Sequence, residues 1–340
     1  MRLKRAAVRC SLLIAPVLLL VGGWSVWEGL GGGKASRAEE SARDVSCRYL
    51  AQIYHLPHEA RVVQVWIPLA KSGREQRVLR RDIRAPAPYT VTQDPDYGND
   101  ILHVTLKPPI SDFLEIAVDY RARLLGGDGA AENLPPVPDT LQRSLQPSGL
   151  VIIDDEVQAR TREATAGRLT PATRARGIYD HVRRFMAYDK TVPGWGRGDT
   201  RRACLVGKGN CTDFHSLFIS MARAAGIPAQ FKIGVVIPPE SSGVIPGYHC
   251  WAEFYEEGWG WVPVDASEAW KHSELADYYF GATDPNRFLV STGRDIRLVP
   301  KQQGGPVNIF FSPYIEVDGQ PFSQANVEVR LTDLQHGRKT

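Results

Sequence analysis

Three residues of this 340-residue chain carry side chains suited to nucleophilic acyl chemistry: Cys211, His249 and Asp265. Cys211 lies in "GKGNCTDFHSLFISMARAAG", Gly207 to Gly226. After it, apolar residues recur at Phe214, Leu217, Phe218, Met221, Ala222 and Ala225, a single face at the helical period. Gly209 and Asn210 permit a tight entry turn, and Gly226 with Pro228 ends the run. The spacing therefore predicts a helix that starts at Cys211. At a helix start the unpaired amides and the macrodipole favour negative charge. A thiol placed there titrates below its usual value of about 8.5. The same amides can hold an oxyanion.

His249 lies eight residues before Glu257, and Asp265 eight after it. A hairpin symmetric about Glu257 makes the two residues cross-strand partners, with Cβ atoms about 4.5–5.5 Å apart. A carboxylate at that range accepts the imidazole N–H, fixes its tautomer and favours the imidazolium. Strand alternation puts His249, Trp251 and Glu253 on one face and Cys250, Ala252 and Phe254 on the other, so Cys250 reads as a small core residue. Cysteine at a helix start, histidine on a strand and an orienting acid on the next strand form a Cys–His–Asp arrangement.

The segments "GNCTDFHSLFISMARAAGIPA", "GYHCWAEFY" and "GWVPVDASEA", in that order, resemble the bacterial transglutaminase-like superfamily. The core of that family is similar to papain-type cysteine proteases. The resemblance spans residues 150–300, including "NRF" and "GRDI". It implies Cys211 as nucleophile, His249 as general base and Asp265 as its orienter. It implies a peptide or protein amide as substrate, a thioester on Cys211, and water or an amine as acceptor. It implies no cofactor or metal. Papain-type enzymes carry an oxyanion-donating glutamine six residues before the cysteine, where this chain has Leu205. Transglutaminases use an upstream tryptophan, and Trp195 lies sixteen residues before Cys211, a poor match in spacing.

Simpler roles compete at several positions. Asp213 reads as a first-turn acid favoured by the helix dipole. His215, four residues after Cys211, either supports the site or packs in the core. Trp195 reads as loop packing. A zinc site from Cys204, Cys211, His249 and Cys250 lacks paired-ligand spacing. A disulfide joining Cys204 to Cys47 or Cys250 stays open. Trp251, Trp259, Trp261 and Trp270 cluster near the hairpin, mostly as sheet packing, with one or two available to wall an acyl groove.

The elements around these residues predict an α+β fold: a papain-like transglutaminase core, with the cysteine-bearing helix on an antiparallel sheet, preceded by a β-sandwich. Short strand patterns fill 45–125, with "DPDYGND" and "KPP" as breaks. Residues 126–150 have linker composition. Residues 151–300 form the expected catalytic domain, entered through helix patterns in "DDEVQARTREATAG" and "TPATRARGIYDHVRRFMAYD". In the latter, Thr170 is the N-cap, Pro171 the first helical residue, and Ile178, Val182 and Phe185 the buried stripe. Residues 301–340 read as a β/loop extension.

Residues 1–38 form a signal peptide or membrane anchor. Four basic residues precede 18 uncharged ones, Cys10 to Trp27, enough helix to span about 27 Å. Either form exports the body of the chain to the periplasm or cell envelope. The net charge of +3 resides in that leader; the remainder holds 35 basic and 37 acidic residues. Such a balance offers no electrostatic footprint for nucleic acid. Two functions remain: an exported cysteine enzyme acting on amides as peptidase, amidase or transglutaminase, or a non-catalytic envelope scaffold on the same fold.

Overall fold

A computed structural model describes residues 42–128, 138–238 and 242–334. The leader at 1–38 lies outside the described residues, and among those described no helix is long and apolar enough to cross a membrane.

Six strands come first: β1 (Arg43–Ile53), β2 (Val63–Leu69), β3 (Gln76–Arg84), β4 (Tyr89–Gln93), β5 (Asp100–Leu106) and β6 (Leu114–Leu124). Four helices follow: α1 (Pro138–Arg143), α2 (Asp155–Thr165), α3 (Pro171–Phe185) and α4 (Thr200–Val206). Next come α5 (Cys211–Ala224), β7 (Ala229–Val236), β8 (Gly243–Ile245), β9 (His249–Glu256), β10 (Gly260–Val264) and α6 (Ala266–Lys271). The chain ends with β11 (Arg287–Thr292), β12 (Tyr314–Val317), β13 (Gln320–Phe322) and β14 (Ala325–Asp333).

Two five-stranded sheets, ordered β8-β14-β1-β6-β3 and β13-β12-β2-β5-β4, make up the β-rich part. Their inner faces follow the period-two rule. On β1, Val45, Cys47, Tyr49, Ala51 and Ile53 are buried while alternate residues meet solvent. Residues 314–333 supply strands to both sheets. Strand β12 pairs with β2, and β14 pairs with β1 from Val45↔Asp333 to Ile53↔Ala325. Strand β8, from the loop before His249, adds to the outer side of β14. The stretch read as a linker contains α1.

A four-stranded sheet, β10-β9-β7-β11, is antiparallel throughout. Helix α5 packs on β9 and β7 and is flanked by α2, α3 and α4. Helix α3 starts as the sequence predicts: Thr170 caps it through a capping box with Thr173, and Pro171 opens it; α4 forms where the sequence reads as a loop. Ile178 and Val182 of α3 are fully buried.

The expectation of one apolar face on α5 proves too narrow. Residues Cys211 to Arg223 are all buried, polar ones included. A helix enclosed on every side must satisfy its polar groups internally, and this one does. Arg294 donates to Ser216 Oγ at 2.5 Å and to the Gly198 carbonyl at 3.2 Å. Arg223 donates to the carbonyls of Ala229 and Gln146. Gly198 has φ +65°, and a Cβ there would collide with Ser216 and Arg294. The loop before α4 can therefore lie directly on the helix.

Candidate active site

Cys211 occupies the first position of α5. Asn210 caps the helix by accepting from the Thr212 amide at 2.9 Å, within a capping box completed by Asp213. Asp213 does more than favour the dipole. It is fully buried and accepts from the amides of Gly196 at 2.8 Å, Gly198 at 3.2 Å and Asn210 at 3.0 Å. One carboxylate thus clamps the 196–198 loop to the start of α5. Trp195, next to the clamped Gly196, is 39% exposed with the Lys190 ammonium over its ring. Leu205, by contrast, is 80% exposed on α4 and turned to solvent.

His249 begins β9 and is buried. Its Nε2 lies 2.6 Å from Asp265 Oδ2, so Nδ1 is the nitrogen left for the thiol, and Cys211 is among the groups that raise the ring's pKa. The route to this geometry differs from the hairpin expected. Ala252 pairs with Val264 and Glu256 with Gly260, so the ladder is centred on Gly258. Gly258 and Gly260 both adopt positive φ, which shifts the turn by one residue. His249 and Asp265 are consequently not cross-strand partners. Asp265 sits just beyond β10 as the N-cap of α6, with φ −130° and ψ 87°, and reaches His249 from there.

Every lone-pair direction of Asp265 that matters is filled. Oδ1 accepts from Ser267 Oγ and the Glu268 amide, both at 2.9 Å; Oδ2 accepts from His249 and from Arg287 Nη1 at 2.7 Å. Burial would raise the carboxyl pKa, but the charges of His249 and Arg287 outweigh it and hold the group well below the usual carboxylate range. Burial likewise works against the His249 imidazolium. The Asp265 charge and hydrogen bond, helped by Cys211, reverse this and push the ring up to about 9. Trp251 stacks on His249 at 6.4 Å between centroids, and the Arg287 guanidinium covers the other reach of that indole at 5.2 Å.

The Cys211 thiol is held well below the ordinary thiol range. The largest cause is a hydrogen bond from Cys250; burial opposes it, and the hydrogen bond and charge of His249 add to the lowering. Cys250 is fully buried and also meets Thr212 Oγ1 at 3.4 Å. It is thus a core residue, as its strand parity says, and a neighbour of the nucleophile as well. Sequence parity carries no signal for that second role, because the face of β9 opposite His249 is the one α5 covers. His215 is fully buried and lies between Cys211 and α6.

Among the four tryptophans of the hairpin region, Trp270 is 40% exposed and stacks on Tyr188. Tyr188 also packs on Phe214 of α5, so this pair lines the approach to the thiol. Trp261 packs on Tyr255 farther along the hairpin. Cys47, Cys204, Cys211 and Cys250 are all free, so no disulfide forms among the described residues. No cluster of three metal-ligating side chains occurs among them either.

The sequence profile of the transglutaminase-like superfamily matches residues 158–266, which contain all three residues of this line. A Haemophilus influenzae protein of uncharacterised function is 30% identical, over 76% of this chain and 82% of its own. A candidate cysteine protease of Cytophaga hutchinsonii superposes with a TM-score of 0.58 at 14% identity, covering 86% of this chain and 91% of that one. That likeness speaks for a shared fold. The periplasmic domain of TgpA from Pseudomonas aeruginosa, 16% identical over 73% of this chain and 97% of its own, has a TM-score of 0.37 and carries no argument. The chain belongs to the transglutaminase-like superfamily.

Proposed function

We propose that this chain is a cysteine enzyme that acts on amide bonds through a thioester on Cys211, with His249 and Asp265 as its partners. The observation that carries the reading is the 2.6 Å contact of His249 with Asp265 beside a Cys211 thiol that His249 helps to hold below the ordinary thiol range. A thiolate–imidazolium pair is the resting form that such pKa directions favour. The Cys211 sulfur attacks the amide carbonyl, and the oxyanion forms in front of the Cys211 amide at the start of α5, the following amides being held by Asn210. His249 gives its Nδ1 proton to the departing amine, leaving a thioester and a neutral imidazole. The imidazole then takes a proton from the acceptor as that acceptor attacks the thioester. Asp265 keeps the ring oriented throughout.

Hydrolysis is the favoured outcome. An amine outcompetes water best in an enclosed channel, and Trp270, which reaches the site through Tyr188, is 40% exposed. The basic flank and apolar run within residues 2–27 support export to the periplasm or cell envelope. Alkylation by iodoacetamide at pH 6, followed by mass spectrometry, tests the nucleophile. Cys211 should react at least ten-fold faster than glutathione, and Cys211→Ala should abolish the fast labelling. A rate no faster than glutathione would overturn the reading.

A further inference from the structure

We infer that His215 is a positioning residue, a neutral imidazole that ties the backbone carrying the nucleophile to the backbone carrying the acid. The inference rests on the proposed Cys211 chemistry. His215 lies one turn after Cys211 on α5 and is fully buried. Its Nε2 accepts the Ala266 amide proton at 3.1 Å. An amide can only donate, so Nε2 holds the lone pair and Nδ1 carries the proton. That proton points at the Cys211 carbonyl oxygen, 2.7 Å away. One ring therefore joins the peptide of the nucleophile to the first peptide of α6, which Asp265 caps.

Both ends of this link meet groups with few other partners. The Ala266 amide is the first of its helix and has no intrahelical acceptor. At this depth water is not at hand, so the ring supplies the acceptor. The Cys211 carbonyl belongs to the first turn of α5 and gains a second donor beyond the helical one. The Nε2 of His215 is 3.5 Å from Asp265 Oδ1, and that oxygen already accepts from Ser267 and Glu268. The action of the ring is on spacing: it fixes how far the start of α5 stands from the start of α6, with His249 held between them. Misplacement of reacting groups by about 1 Å costs on the order of 100-fold in rate.

The test uses two substitutions that each keep half of the link. His215→Asn keeps a donor near the Nδ1 position for the Cys211 carbonyl, and His215→Gln keeps an acceptor near the Nε2 position for Ala266. In each purified, folded full-length variant, Cys211 alkylation by iodoacetamide at pH 6 should fall about ten-fold or more relative to wild type. Amide turnover should fall in kcat with KM nearly unchanged. Folded variants that lose thermal stability yet alkylate at the wild-type rate would make His215 a packing residue and overturn the inference. If neither variant folds, the wild-type ring decides through its nitrogen-15 spectrum: an Nδ1–H tautomer is expected, and an Nε2–H tautomer overturns the link. A wild-type Cys211 no more reactive than glutathione would instead bring down the catalytic reading itself, a result visible before any variant is made.

Discussion

His249 Nε2 and Asp265 Oδ2 stand 2.6 Å apart although the two residues are not paired across the hairpin. The acid reaches the imidazole from a helix N-cap, so one side chain caps α6 with Oδ1 and orients His249 with Oδ2. Asp265→Asn separates these duties, since asparagine caps a helix as well as aspartate does. The variant should keep α6 and lose the charge that supports the imidazolium. Amide turnover should drop by about 10²–10⁴-fold. The basic limb of its pH profile should move from about 9 toward the ordinary histidine range. A profile of kcat/KM against pH checks both, and an unchanged basic limb would show that Asp265 does not govern His249.

The pKa directions fix the sign of the pH response. Cys211 is depressed and His249 is raised to about 9, so the thiolate–imidazolium pair persists between them. Alkylation of wild type should vary little from mildly acidic pH to about 8, where a free thiol gains about ten-fold per pH unit. Turnover should fall above about 9, because a neutral His249 has no proton for the departing amine. Stability follows the same pair. The raised His249 contributes stability that is complete below its unfolded value of about 6.5 and is lost as pH rises through about 9. The depressed Asp265 contributes stability present above about 3.9 and lost as pH falls through its folded value. Urea titrations of wild type and His249→Asn across pH 5–10 should show a larger alkaline loss in wild type than in the variant, which keeps only the loss from buried thiols and phenols.

Cys250 offers a further handle on the nucleophile. Its thiol hydrogen-bonds the Cys211 sulfur, the largest influence lowering that group. Cys250→Ala removes the donor and leaves a small cavity. The midpoint of Cys211 alkylation against pH should rise by about one unit, the scale of one hydrogen bond to a charged group. Cys250→Ser restores a hydroxyl donor and should recover much of the shift. Equal midpoints in all three proteins would make Cys250 a packing residue alone.

How much of this site is legible in the chain depends on the range of the determining contacts. The start of α5 is local: Asn210, Gly209, Gly226 and the spacing from Phe214 to Ala225 specify it without tertiary help. The convergence of Cys211, His249 and Asp265 follows from motif order, but the hairpin register does not. It depends on Gly258 and Gly260 adopting positive φ, which moves the centre of the ladder by one residue and turns an expected strand partner into a cap. Asp213, His215, Cys250 and Arg287 act through partners far along the chain. Their types are visible, yet nothing in their spacing distinguishes a buried clamp from a solvated helix face. The sandwich shows the same limit, because alternation marks β1 as half-buried without naming the strand beside it.

Strand β14 pairs with β1 along nine residues, and β12 pairs with β2, so each sheet contains a C-terminal strand between others. Truncation after Pro313 would expose the edges of β1 and β2 and uncover the inner face on which Val329 and Leu331 are buried. It would also remove Asp333, whose carboxylate receives Arg43 Nε at 2.7 Å in a buried pair. Losing one member of such a pair costs about 3–5 kcal/mol by itself, a large share of the 5–15 kcal/mol that keeps a typical domain folded. Open sheet edges add a tendency to associate. The truncated chain should therefore lack a cooperative thermal transition and aggregate, even though it retains Cys211, His249 and Asp265. Circular dichroism melting and size-exclusion chromatography check this. A soluble monomer melting at the wild-type temperature would mean that residues 314–340 are an appendage, and that the pairing of β14 with β1 contributes nothing to the fold.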